Sequence, residues 1–183
     1  MADHGHHDEE FDLEPVPGLP EAPPAGERIL WQGAPDWRAL ARRCFLSRWT
    51  AAALLGLGLV RVLRRAADGA PMGEVAVLGA WHLFLAAAAL GVLSGLAWMT
   101  ARATVYNITD RRVAMRIGSA VNVTFNLPFR WIDGAELAVH ADGAGNIPLT
   151  LRGPNTLGYL MLWPHCRPWR MARPQPMLRC IPQ

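Results

Sequence analysis

The feature that most constrains this 183-residue chain is a stretch of 27 residues without a formal charge, between Glu74 and Arg102. A helix needs about 20 predominantly apolar residues to cross the roughly 30 Å hydrocarbon core of a bilayer. The stretch is therefore long enough for a tilted transmembrane helix. It also concentrates in one place much of the chain's hydrophobic content, which is 51% of all residues.

A second, weaker apolar segment covers residues 44–63, and only 12 of its residues, 49–60, form an uncharged core. Twelve residues are too few to cross a bilayer, but Arg48 and Arg61 flank that core and can extend their guanidinium groups toward the headgroups. The two segments together predict a transmembrane helical hairpin over residues 44–101. For the first segment, a buried helix of a soluble protein is the alternative.

The basic residues indicate how this hairpin is oriented. All 18 are arginine, and the cytoplasmic loops of membrane proteins are enriched in arginine and lysine. Eight arginines lie on the outer flanks of the hairpin and three at its turn, which predicts that both termini are cytoplasmic. The flanking arginines are Arg38, Arg42, Arg43, Arg48, Arg102, Arg111, Arg112 and Arg116, and those at the turn are Arg61, Arg64 and Arg65.

Two segments precede the hairpin. The first 27 residues hold eight acids and no base, and together with a run of prolines they predict a disordered acidic arm over residues 1–26. Its histidines have no fixed geometry, so no metal site is expected. Residues 27–43 mix tryptophan with arginine and predict a juxtamembrane segment. The predicted membrane-interface residues are Trp31, Trp37, Arg38, Arg42 and Arg43, with Arg102 at the far end of the hairpin.

After Arg102 the hydrophobic period changes from helical to alternating, which is typical of half-buried strands. Six short strands are predicted, and their close spacing indicates a small antiparallel sheet or barrel. The expected fold is therefore a membrane α-helical hairpin followed by an all-β domain over residues 102–183. The predicted strands cover residues 104–108, 113–117, 121–127, 136–140, 147–151 and 159–163.

The block Tyr106–Arg112 reads Tyr-Asn-Ile-Thr-Asp-Arg-Arg and resembles the start of bacterial pleckstrin-homology-like (PH-like) domains. Over almost the whole chain, the sequence is similar to the photosynthetic complex assembly proteins of purple bacteria. Two further parts carry that similarity: Glu14–Pro20 with Gly26–Gly33, and Leu162–Pro176. The resemblance implies a non-catalytic assembly factor in the bacterial inner (intracytoplasmic) membrane, whose partners are reaction-centre subunits and LH1 polypeptides.

The resemblance also implies a PH-like barrel, with one departure. Such barrels normally close one end with a C-terminal helix, whereas this sequence ends at Ile181-Pro182-Gln183, where that helix would begin. We therefore expect a barrel that lacks its C-terminal capping helix, or one that another segment caps.

No group of residues has the spacing of a catalytic site. Asp133, Glu136 and Asp142 have no partner base at a useful distance in the sequence. The run Gly143-Ala144-Gly145 lacks the lysine and the following helix of a phosphate-binding loop. No enzymatic activity is expected.

Small side chains recur every four residues in the second apolar segment, at Ala87, Gly91 and Gly95. Such a row lets another helix approach closely inside a membrane. It predicts either docking onto another membrane protein or closure of the hairpin on itself. Self-association into a homodimer is also left open.

His82 lies inside the second apolar segment, and ionisable residues at that depth are candidates for function. A neutral imidazole could ligate the magnesium of a bacteriochlorophyll, which would make the chain a pigment carrier. Leu78 occupies the position where light-harvesting helices favour a small alanine. A histidine that only packs between helices is therefore the preferred interpretation, and no cofactor is expected.

Arginine and tryptophan alternate near the C-terminus, and both are enriched in binding hot spots. They predict a surface through which the domain contacts the cytoplasmic faces of photosynthetic subunits. Ordinary barrel closure and contact with anionic lipids are alternatives, and the latter would make the chain a lipid-binding module without a photosynthetic client. Tethering at a membrane disfavours nucleic acid as a partner. The predicted partner-binding residues here are Trp163, Arg167, Trp169, Arg170 and Arg173.

Overall fold

The computed structural model describes residues 16–118, 122–153 and 157–182. These residues divide into two compact units. Residues 16–36 and 99–182 form the first, which we call the β unit, and residues 37–98 form the second, the helical unit. The chain therefore enters the β unit, leaves it for the helices and returns. This corrects the predicted order of hairpin first and β domain second.

Three helices make up most of the helical unit: α1 (Trp37–Arg43), α2 (Ser47–Ala67) and α3 (Met72–Ala103), whose last five residues belong to the β unit. α3 is long and apolar enough to cross a membrane, and only 17% of its most apolar window is buried. α1 and α2 meet the same criterion only when they are counted together across a 50° bend. Within the described residues, one helix thus has the length and composition of a span, or two if the bent pair is one span. The second transmembrane helix of the hairpin stays a prediction.

α2 and α3 contact each other where a glycine faces a large side chain. A Cβ atom added at Gly58 of α2 would lie 2.7 Å from the Cβ of His82 of α3. Near the turn between the helices, Arg65 and Glu74 form an ion pair with an N–O distance of 2.7 Å. The small residue at position 58 is therefore a steric requirement of this helix pair.

The first sheet of the β unit is antiparallel, with the strand order β1-β2-β3-β4. Its edge strand β1 precedes the helices and pairs with β2, which follows them, so that Gln32 lies opposite Asn107. Residues 29–33 are therefore sheet, which corrects the first part of the predicted juxtamembrane segment. The strands are β1 (Ile29–Gly33), β2 (Val105–Thr109), β3 (Arg112–Ile117) and β4 (Val123–Pro128).

The second sheet is also antiparallel, with the order β5-β7-β6 and with β8 paired to β7. The predicted strand over residues 159–163 is wrong. These residues form a short helix, α4 (Tyr159–Leu162), because the backbone N–H of Leu162 donates to the carbonyl of Gly158. The strands are β5 (Ile132–Ala135), β6 (Ala138–Val139), β7 (Gly145–Leu151) and β8 (Met177–Ile181), the last element of the described residues.

The hydrophobic core of the β unit draws side chains from both sheets and from α4. Its burial stabilises this unit by about 25 cal/mol for each Å² of apolar surface removed from water. Its buried members are Tyr106, Val113, Met115, Ile117, Leu127, Leu149, Leu162, Cys166 and Leu178.

The second half of the predicted disordered arm is folded. Leu19 is fully buried, and the carbonyl of Pro17 accepts hydrogen bonds from the side-chain amides of Gln32 and Asn107. Gly18 has a positive φ of 82°, and a Cβ atom there would lie 2.7 Å from Val105. The prediction for residues 1–26 is therefore corrected from residue 16 onward, because these contacts offset the ordering entropy. Residues 1–15 lie outside the described residues.

Candidate interaction site

The three parts of the sequence that carry the family resemblance meet at β2 and at the turn after it. The Nε of Arg112 donates to the carboxylate of Glu27 across 2.8 Å, and the Glu27 side chain is only 3% exposed. One position along, Arg28 and Asp110 exchange two hydrogen bonds, in which each backbone N–H donates to the other residue. This first junction fastens the segment before the helices to the turn between β2 and β3.

The second junction is a buried chain of hydrogen bonds around His165. The Thr104 hydroxyl donates to the carbonyl of Thr100, so its oxygen is left to accept from the Nε2–H of His165, 3.1 Å away. The Nδ1 of His165 then accepts from the hydroxyl of Tyr106 at 2.5 Å. The Tyr106 oxygen in turn accepts from the backbone N–H of Arg179. Each hydrogen has one acceptor, which fixes the imidazole as the neutral Nε2–H tautomer.

Burial enforces the same neutral state. Burial, together with the smaller effect of the positive charge of Arg179, lowers the pKa of His165 from 6.5 to about 3. Burial also raises the pKa of the neighbouring Cys166 thiol. An imidazole with both nitrogens engaged has no nitrogen left for a substrate or a metal. The His165 network is therefore an anchor for the segment that carries it.

That segment, residues 163–173, is called the Arg–Trp loop below. It contains all five residues predicted to bind a partner near the C-terminus. Trp163, Trp169, Arg170 and Arg173 are exposed, and Trp169 is 88% exposed. Arg167 differs from them, because it is half-buried and pairs with Glu136 at 3.4 Å.

Three hydrogen bonds fasten the base of the Arg–Trp loop. Arg179 donates from Nη1 to the carbonyl of Pro164, the backbone N–H of Arg167 donates to Gln175, and that of Met177 donates to His165. Trp169 has a left-handed backbone, with φ at 66°, which is a strained conformation for a bulky residue. The loop backbone therefore holds in place its apolar tips, which are the exposed side chains of Trp163, Trp169 and Met171.

Sequence reasoning missed three further exposed apolar side chains in and near the loop. Leu160 and Met161 of α4 point outward, and Met171 within the loop is 64% exposed. The run Tyr-Leu-Met-Leu predicts a strand, whereas the single helical turn that forms buries Leu162 and leaves Leu160 and Met161 exposed.

The predicted membrane-interface residues fall in different places. Trp31 lies in β1, with its ring over Gly33 and against the core of the β unit, so the structure gives it a packing role. Trp37 and Arg38 are exposed in α1, and the guanidinium of Arg38 lies 5.4 Å from the Trp37 ring. Arg42 and Arg43 are half-buried at the end of α1, and Arg102 is exposed at the end of α3.

The row of small residues in α3 faces outward. Ala87, Gly91 and Gly95 are exposed, and apart from the adjacent residues and backbone of α3 itself, no described atom lies within 4 Å of a Cβ added at either glycine. The alternative that this row closes the hairpin is therefore wrong. The hairpin is closed by Gly58 and His82 instead.

The position of His82 explains that closure. The residue is only 7% exposed, and its Nδ1–H donates to the carbonyl of Leu78 across 2.8 Å. The Nε2 atom keeps its lone pair, but the ring lies against the backbone of Gly58. A flat pigment macrocycle needs open space on that side, so the geometry favours the packing role for His82. Within the described residues, no three His, Cys, Asp or Glu side chains form a metal-binding group.

Comparison with known proteins agrees with this architecture. Residues 52–183 match the bacterial PH domain family, and the chain belongs to that family. The chain is also 41% identical, over 177 residues, to an uncharacterized 23.7 kDa protein in the puhA 5' region of Rhodobacter capsulatus. The match covers 96% of this chain and 83% of that relative. No solved structure matches the chain.

Proposed function

We propose that this protein is a membrane-anchored, non-catalytic factor that helps to assemble photosynthetic reaction-centre and LH1 subunits. The observation that carries the proposal is the relative in the puhA 5' region, because puhA belongs to the photosynthesis gene cluster of a purple bacterium. The similarity extends over nearly the whole chain, so it includes the helical unit as well as the β unit.

The helical unit supplies the anchor in this proposal. α3 has the length of a span and leaves most of its apolar surface open, which is costly in water but not in lipid. The arginines at its flanks support an inner-membrane location with both termini in the cytoplasm.

The outward row of Ala87, Gly91 and Gly95 is the surface that we assign to client subunits. Helices in lipid associate through close packing, and small residues allow their backbones to approach. The row is open in the described chain, so a client helix would not have to displace α2.

The experiment is affinity purification of the tagged protein from cells grown phototrophically, with identification of the proteins that co-purify. The wild-type protein should retain reaction-centre and LH1 subunits. The double variant Gly91→Ile and Gly95→Ile should retain severalfold less, because two branched side chains block close approach. Gly73→Ile is the matched control, since position 73 of α3 is equally open but lies outside the row.

Two results would contradict different parts of the proposal. If the wild-type protein retains no photosynthetic subunit, the assembly role is wrong. If the double variant retains as much as the control, the assembly role stands but the client surface lies elsewhere.

A further inference from the structure

We infer that the Arg–Trp loop docks onto the lipid headgroup layer beside the end of α3. The inference rests on the proposed function in one respect only, which is that α3 spans a bilayer. It adds a ligand for the β unit, because it assigns to the loop an anionic phospholipid surface rather than a protein.

The first observation is where the loop is attached. Thr104 follows the last residue of α3, and its hydroxyl lies 3.1 Å from the Nε2 of His165 inside the loop. Arg102, the first charged residue after the apolar stretch, precedes Thr104 by two residues, or about 3 Å along the helix axis. The base of the loop therefore lies at the level where α3 leaves the apolar layer.

The second observation is the chemistry of the exposed side chains. Trp163, Trp169 and Met171 present apolar surface, and Arg170 and Arg173 stand among them. Tryptophan rings favour the membrane–water interface, and arginine binds phosphate oxygens. Neither Arg170 nor Arg173 forms an ion pair within the described residues, so both can face anionic lipids.

The third observation is that the apolar tips are already in position. The hydrogen bonds from Arg179, Arg167 and Met177 fix the two ends of the loop. A rigid loop loses little conformational entropy when it inserts, which strengthens binding. The base of the loop lies next to the residue where α3 ends, so lipid is the ligand that this position favours.

The experiment uses the full chain reconstituted into vesicles of phosphatidylcholine, with or without phosphatidylglycerol. Met171→Cys places an environment-sensitive fluorophore on the loop. Leu30→Cys is the matched control. Leu30 is equally exposed, but it lies in β1 next to Ile108 and Thr109, at the end of β2 that does not adjoin α3. Cys44, the least buried native cysteine, is replaced by serine in both proteins.

The probe at position 171 should emit at shorter wavelength and should be quenched by lipids that carry a spin label on the acyl chain. The probe at position 30 should behave as it does in water. Addition of Arg170→Gln and Arg173→Gln should weaken the quenching at position 171, and more so in vesicles that contain phosphatidylglycerol.

Equal, water-like emission at both positions in both kinds of vesicle would overturn the inference. So would a position-171 probe that is exposed in vesicles but shielded in native photosynthetic membranes, since that pattern assigns the loop to a protein client. Alkaline extraction separates this failure from failure of the proposed anchor. If the protein is released from the vesicles, α3 is not a span; if it stays while the probe is exposed, only the lipid docking is wrong.

Discussion

In the β unit polar side chains are buried and hydrogen-bonded, whereas in the helical unit large apolar side chains are exposed. Thr104, Tyr106 and His165 are fully buried, while Val77 and Leu83 of α3 are mostly exposed. Buried polar groups are tolerated when each finds a partner, and exposed apolar groups are tolerated when the surroundings are themselves apolar. The difference supports the proposed anchor, in which α3 lies in lipid.

The units also differ in how a single substitution should act. In the β unit, a change at His165 removes one hydrogen-bond partner from each of two buried hydroxyl groups. In the helical unit, a change matters where the two helices approach each other and is tolerated elsewhere. Three predictions examine this contrast.

The largest effect is expected for His165→Leu. The substitution leaves the hydroxyl of Tyr106 and that of Thr104 buried with one partner fewer each, and every unsatisfied buried polar group costs about 1–3 kcal/mol. We expect a loss of about 4 kcal/mol of folding free energy in the β unit, by the same estimate. Near-UV circular dichroism of the protein in detergent should show the loss, and the helical far-UV signal of α3 should remain.

His140→Leu is the control for that variant. His140 is half-buried and hydrogen-bonded to Asn146 at the tip between β6 and β7, so its loss should cost about 1 kcal/mol. Equal effects of the two variants would contradict the anchoring role of His165. Simultaneous loss of both spectroscopic signals would contradict the independence of the two units.

The second prediction concerns acid. The folded pKa of His165 is about 3, below the ordinary value of 6.5, so between these values the unfolded chain binds the extra proton. Stability from this group is therefore fully present above pH 6.5 and is lost as the pH falls, by up to about 1.4 kcal/mol per pH unit. The β unit should unfold in mild acid before the helical unit does.

Nitrogen NMR of the imidazole provides the direct measurement. Wild-type protein should show a neutral Nε2–H imidazole at pH 5, assigned by the loss of that signal in His165→Gln. An imidazolium signal at pH 5, or a proton on Nδ1, would show that the inferred hydrogen-bond chain is wrong.

The contrast between the units also explains which features could be predicted from the sequence. α3 was predictable because a long uncharged run is sufficient evidence of an apolar helix. The alternation of apolar and polar residues in β2 and β4 was equally visible. These features depend on local pattern alone.

Features that depend on distant partners could not be read in this way. β1 is short, and Gln32 meets its partner Asn107 75 positions later. Tyr106 and His165 are 59 positions apart, and neither has a local pattern that identifies the other. Residues 16–20 look disordered by composition, yet the side-chain amides of Gln32 and Asn107 hold them to the sheet.

The third and smallest effect is expected for Gly58→Ala. A Cβ atom at position 58 would lie 2.7 Å from the Cβ of His82, so α2 and α3 must move apart, at a cost of about 1–3 kcal/mol. Gly56→Ala is the matched control, because the space around Gly56 is open in the described chain. It should stabilise α2 by up to about 1 kcal/mol through helix propensity alone.

Cysteine crosslinking measures the separation of the two helices directly. A Cβ atom at Gly79 would lie 3.7 Å from the Cγ2 of Val62, so Val62→Cys and Gly79→Cys should form a disulfide readily in a background without Cys44. Gly58→Ala should slow that crosslinking severalfold and Gly56→Ala should not. Equal rates would mean that the helices do not depend on the contact between Gly58 and His82. The stability of the helical unit in lipid would then rest on its apolar surface rather than on close packing.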